Sequence, residues 1–84
     1  MRVLVNASRG DSWIMARSGS ATGRLLYQGT LTKGRSLRWS AGRALWIQVG
    51  AGANLDARVN GKLVTLLSGT FTGLLTPSGL GPAG

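Results

Sequence analysis

The sequence has no cysteine, no histidine and no glutamate, and its only acids are Asp11 and Asp56. The first two absences exclude thiol nucleophiles, imidazole bases and ordinary zinc sites. Paired-carboxylate chemistry would need Asp11 and Asp56 to meet in space. Calcium and magnesium sites want several carboxylate oxygens, which are scarcely available. The chain is therefore not expected to be an enzyme, and no cofactor or metal is expected. Without cysteine the fold cannot depend on a disulfide, and the compartment stays open. No apolar run reaches the roughly eighteen residues of a membrane span. No signal peptide is expected, because Met1-Arg2-Val3-Leu4-Val5 runs straight into polar residues. No stretch sustains a helical period either.

What is present is a small, basic, glycine-rich chain. Eighty-four residues make one domain at most, and 43% apolar residues are enough for one core. A domain this small buries about 60% of the surface its unfolded chain exposes, so its stability is expected to be marginal. The net charge is +8. Such a surplus attracts polyanions: nucleic acid, anionic lipid head groups or acidic wall polymers. It is equally what an arginine-rich codon bias would produce.

The clearest local signal is a hairpin around Asn60-Gly61. Leu55, Ala57 and Val59 alternate with Asp56 and Arg58, which is strand periodicity. A two-residue loop would pair Arg58 with Leu63 and mix a charge with an apolar side chain. A three-residue loop, Val59 to Gly61, pairs Arg58 with Lys62 and Ala57 with Leu63. The three-residue form is the expectation, with Gly61 in the left-handed position.

Further strands are expected over Arg2–Ser8, Ser12–Arg17, Arg24–Thr30, Ser36–Ser40, Ala44–Val49 and Thr70–Leu75. Glycine turns recur between them every ~8–12 residues. The pattern predicts an all-β fold, a small β-sandwich or barrel of about seven or eight short, mostly antiparallel strands. Residues 1–75 form the single β domain, and 76–84 read as a Gly/Pro-rich mobile tail.

Several motifs invite chemistry and are better read as turns. Arg9-Gly10-Asp11 is the integrin-recognition tripeptide, but glycine and aspartate are turn formers. The segment from Gly29 to Ser36 mimics a phosphate-binding loop, yet Arg35 replaces the lysine and no helix follows. Gly50-Ala51-Gly52 lacks the third glycine of a dinucleotide fingerprint and leads into a strand. Asn54 and Asn60 are turn residues. Asp56 is expected to be a surface partner for Arg58 or a cross-strand arginine.

The candidate interaction surface is Lys33, Arg35, Arg38, Arg43 and Trp46. Trp39 shares a face with Leu37 and is expected in the core, as is Trp13. Trp46 stands opposite Leu45, Ile47 and Val49, so it is the one ring expected to face outward. It could stack on a base, lie under an arginine or anchor an interface.

Taken in order, Gly10-Asp11-Ser12-Trp13-Ile14, Leu26-Tyr27-Gln28-Gly29-Thr30-Leu31, Lys33-Gly34, Trp39, Val49-Gly50 and Val59-Asn60-Gly61-Lys62 resemble the C-terminal domain of the RodZ family of bacterial cell-shape proteins. The resemblance covers about residues 3–75. It implies a small β-sandwich outside the cytoplasmic membrane, without catalytic residues. It also implies an upstream transmembrane helix and a cytoplasmic helix-turn-helix domain that contacts an actin-like filament; this chain contains neither. Ala51 stands where the family often has asparagine, so that turn is expected to differ. The implied function is a non-enzymatic interaction domain, with cell-wall synthesis or division proteins as partners. Anionic wall polymers or lipid head groups would add to the attraction. The alternative is a basic nucleic-acid-binding β-barrel.

Overall fold

A computed structural model of the chain describes residues 1–82. These form nine strands and one short 3-10 turn. The strands are β1 (Arg2–Asn6), β2 (Ser12–Ser18), β3 (Leu25–Leu31), β4 (Ser36–Ser40), β5 (Leu45–Val49), β6 (Asp56–Val59), β7 (Lys62–Val64), β8 (Phe71–Thr76) and β9 (Gly79–Pro82). The 3-10 turn spans Gly52–Asn54. All pairings are antiparallel. One sheet has the order β4-β1-β6-β7 and the other β3-β2-β5-β8-β9.

The alternation that makes each strand amphipathic also builds the core. Val3, Val5, Ala57, Val59 and Val64 come from the four-stranded sheet. They meet Ile14, Ala16, Leu45, Ile47, Val49, Phe71 and Leu75 from the five-stranded one. Two sheets whose inner faces interdigitate in this way are a β-sandwich. Its open side between β3 and β4 is filled by Tyr27 and Trp39, edge to face with centroids 6.4 Å apart. Trp39 thus packs against the core, on the face it shares with Leu37.

One buried polar group pins the segment that follows β5 to the start of β2. Ser12 is 3% exposed. Its hydroxyl donates to the Trp13 carbonyl at 3.1 Å and accepts from the Ala51 N–H at 3.0 Å. This anchors the Gly50-Ala51-Gly52 segment, which enters the 3-10 turn rather than running directly into a strand. Gly52 is required there by proximity: a β-carbon would sit 1.9 Å from the Leu67 carbonyl oxygen.

Three expectations are corrected. The hairpin loop has two residues, not three. Val59 pairs with Lys62, Arg58 with Leu63 and Ala57 with Val64. Asn60 (φ 52°) and Gly61 (φ 85°) are both left-handed, which is the geometry of a type I′ turn whose twist suits a hairpin. The three-residue reading assumed that Leu63 faces inward, but Leu63 is 61% exposed and Val64 fills the core position. Trp13 faces away from the core, half-buried on the outer side of β2, because Ser12, Ile14 and Ala16 take the inner positions. Finally, most of the expected tail is structured. β9 pairs with β8 from Gly73↔Pro82 to Thr76↔Gly79, and Leu80 packs against the core. Residues 83 and 84 lie outside the described residues.

Candidate functional site

The outer face of the four-stranded sheet follows from the same alternation. With Val3 and Val5 inward, β1 presents Arg2, Leu4 and Asn6 to solvent. With Leu37 and Trp39 inward, β4 presents Ser36, Arg38 and Ser40. With Ala57 and Val59 inward, β6 presents Asp56 and Arg58. The register then sets Leu4 opposite Arg38 on one side and Arg58 on the other. Leu63 continues this row beyond Arg58. Arg2 lies one pleat along β1 from Leu4, opposite Ser40.

The result is an open cleft of about 490 Å³, lined by residues including Arg2, Leu4, Arg38, Trp39, Arg58 and Asn60. Arg38 and Arg58 are two strand spacings apart, roughly 10 Å at the backbone. At that distance their repulsion lies between about 0.4 and 1.7 kcal/mol, depending on the effective dielectric. Asn60 braces the cleft's end by accepting the Arg2 backbone N–H on its side-chain oxygen at 2.9 Å. The Arg58 guanidinium donates to the Gly61 carbonyl at 3.2 Å.

The acids are engaged elsewhere. Asp56 is held by Arg9 at 3.0 Å and accepts from the Ser8 hydroxyl at 2.7 Å. These contacts, Ser8 first and then Arg9, lower its carboxyl below the ordinary value, and Arg58 adds a weaker field. The partner is therefore Arg9, from the β1–β2 turn, rather than Arg58 or a cross-strand arginine. Asp11 accepts the Lys33 backbone N–H at 2.8 Å. Both ends of Arg9-Gly10-Asp11 are thus occupied by internal bonds, and the tripeptide is a turn. Among the described residues no carboxylate pairs with Arg2, Arg38 or Arg58.

The RodZ C-terminal domain family matches residues 5–72. The chain belongs to that family. No curated protein and no solved structure matches it. The RodZ C-terminal domain is not known as an enzyme. Among the described residues no group of three metal-ligating side chains occurs. No described helix is long and apolar enough to cross a membrane.

In this RodZ-type sandwich the five candidate residues do not form one surface. Arg38 lies on the outer face of the four-stranded sheet. Lys33 and Arg35 occupy the β3–β4 turn, and Arg43 the β4–β5 turn, all exposed. Trp46 lies on the opposite outer face, between Arg17 on β2 and Leu74 on β8. The strand parity of Trp46 is as expected, but its exposure is not: it is 8% exposed. β5 is the middle strand of five, so a large ring there is flanked by side chains on both neighbours. A stacking platform for nucleic acid loses the ring it rested on.

Arg2 and Arg58 are the residues that the sequence reading missed. Their outward parity was legible in Arg2-Val3-Leu4-Val5 and Ala57-Arg58-Val59. Their adjacency was not, because it depends on the order β4-β1-β6.

Proposed function

We propose that this RodZ C-terminal domain is a non-enzymatic protein-interaction module of a cell-shape protein, acting outside the cytoplasmic membrane. Its partners are proteins of cell-wall synthesis or division. The observation that carries this reading is the exposed arginine group around Leu4, which has no carboxylate partner among the described residues. Arginine beside apolar surface is the side-chain chemistry enriched in protein interfaces. Family membership supplies the cell-shape context.

Site-specific photo-crosslinking in living cells tests it. A photoreactive residue at Ser40, beside the cleft, should give discrete adducts with another protein. The same residue at Gln28, on the outer face of the other sheet, should give fewer. Adducts to nucleic acid alone, or no protein adduct from either position, would overturn the reading.

A further inference from the structure

We propose that the cleft takes an acidic protein segment with an apolar side chain at its centre. Leu4 is the apolar contact, and Arg2, Arg38 and Arg58 receive carboxylates. The assignment rests on the protein-interaction reading above and goes further by fixing the partner's chemistry.

The register is the first argument. Across the sheet the outward residues run Arg38, Leu4, Arg58, Leu63, so cation and leucine alternate on four adjacent strands. Neighbouring strands lie about 4.8 Å apart, so each leucine is within reach of whatever engages the arginine beside it. Charge is the second argument. Asp56, the acid that β6 presents on this same face, is already bridged by Arg9 and Ser8. The guanidinium groups of Arg2 and Arg38 thus stand free for carboxylate oxygens, and Arg58, which gives one N–H to the Gly61 carbonyl, keeps the rest of its fork. Leu4 is the third. It is half-buried and lines the cleft, between arginines on both sides. A cleft of about 490 Å³ has the size of a small binding site and admits an inserted side chain.

These features favour a peptide over other anions. A phosphodiester polymer satisfies the arginines and offers nothing to Leu4. A bilayer meets the exposed guanidinium groups first, and its hydrocarbon begins below the head groups, whereas Leu4 is half-buried between Arg38 and Arg58. An acidic segment with a leucine or phenylalanine supplies both kinds of contact at once.

The test is an amide NMR titration of the full 84-residue chain. The probes are a glutamate-rich peptide with a central leucine, the same peptide with serine in place of that leucine, inorganic polyphosphate, and phosphatidylglycerol vesicles. The leucine peptide should shift the amides of Leu4, Arg38 and Arg58. Leu4→Ala, and equally the serine peptide, should weaken binding about fivefold, the loss expected for a partly buried apolar contact. Arg58→Ser should weaken it about tenfold or more. The serine peptide keeps the test valid if a protein variant folds poorly. Tighter binding of polyphosphate or vesicles with no dependence on Leu4 would overturn the proposal in favour of a polyanion or lipid site. Shifts confined to other surfaces would also overturn it. Protein adducts at Ser40 without affinity for the leucine peptide would sink this assignment and leave the interaction module standing; the absence of protein adducts would remove both.

Discussion

Arg9 is the residue on which the turn side of the sandwich converges. Its guanidinium donates to the Ala53 carbonyl at 2.6 Å and the Leu55 carbonyl at 2.7 Å, besides pairing with Asp56. It therefore binds the β1–β2 turn to the backbone that leads into β6. Asp56 adds a carboxylate to a guanidinium that would keep its two carbonyl bonds without it. Asp56→Asn should then cost under about 1 kcal/mol, as exposed ion pairs do. Arg9→Ala should cost about 1–2 kcal/mol, because it leaves two backbone carbonyls without that donor. The pH dependence has a definite sign. Hydrogen bonding by Ser8 and then Arg9 lowers the Asp56 carboxyl in the folded state below its ordinary 3.8. Its contribution is fully present above that value and is lost as the pH falls through the lower folded-state value. Urea midpoints at pH 7 and in acid would show both effects, with a flatter acid slope in Asp56→Asn. Equal losses for the two variants would mean that the carbonyl bonds contribute nothing. The pair was not legible in the sequence because Arg9 lies in a turn, where strand parity says nothing. Trp46 fails in a different way. Parity placed it on the outer face correctly, but exposure depends on what the neighbouring strands carry, and Arg17 and Leu74 flank it.

At the scale of elements, most strands were legible because each carries its own alternation. Ser36–Ser40 is the expected span, and β5 differs from its expectation only by the start at Leu45. The hairpin was legible as a hairpin from Asn60-Gly61, yet its register was not. Shifting one residue exchanges the inner and outer sets, and Leu63 was placed inward on hydrophobicity alone. The turn decides otherwise, since two consecutive left-handed residues fit the two-residue loop. β9 escaped notice because Gly79-Leu80-Gly81-Pro82 has almost no strand propensity. Its pairing comes from β8, and its one large side chain, Leu80, sits opposite Leu75 and against the core. Ending the chain after Thr76 should therefore destabilise the domain by about 1–2 kcal/mol, the burial of a leucine-sized side chain. It should also leave β8 as an unpaired edge with a raised tendency to aggregate. Urea unfolding of the shortened chain measures the first effect. An unchanged midpoint would return residues 77–82 to the status of a dispensable tail.

The whole molecule brings distant segments together in ways that no local pattern announces. β1 stands between β4 and β6, so Arg2, Arg38 and Arg58 meet although they are spread over most of the chain. Alternation tells which face a residue takes and not which strand lies beside it, so the fold class could be read and the cleft could not. The same assembly puts a net charge of +8 on a small body with one ion pair among its described residues. Self-repulsion of this kind destabilises the compact state. Salt should relieve it, since the screening length falls from about 30 Å at 0.01 M to about 8 Å at 0.15 M. The melting temperature should rise over that range by a few degrees, which for a domain of this size corresponds to roughly half a kcal/mol. Replacing both Arg38 and Arg58 by serine should raise the low-salt melting temperature and shrink the salt-dependent gain. A melting temperature that falls with added chloride would mean that attractive pairs outweigh the repulsion. The arginine group would then be no reservoir of unfavourable charge for an acidic partner to relieve. If the rise is found and is smaller in the double variant, the cleft holds arginines at a cost to the free domain, and an acidic ligand that neutralises them should stabilise the fold as it binds.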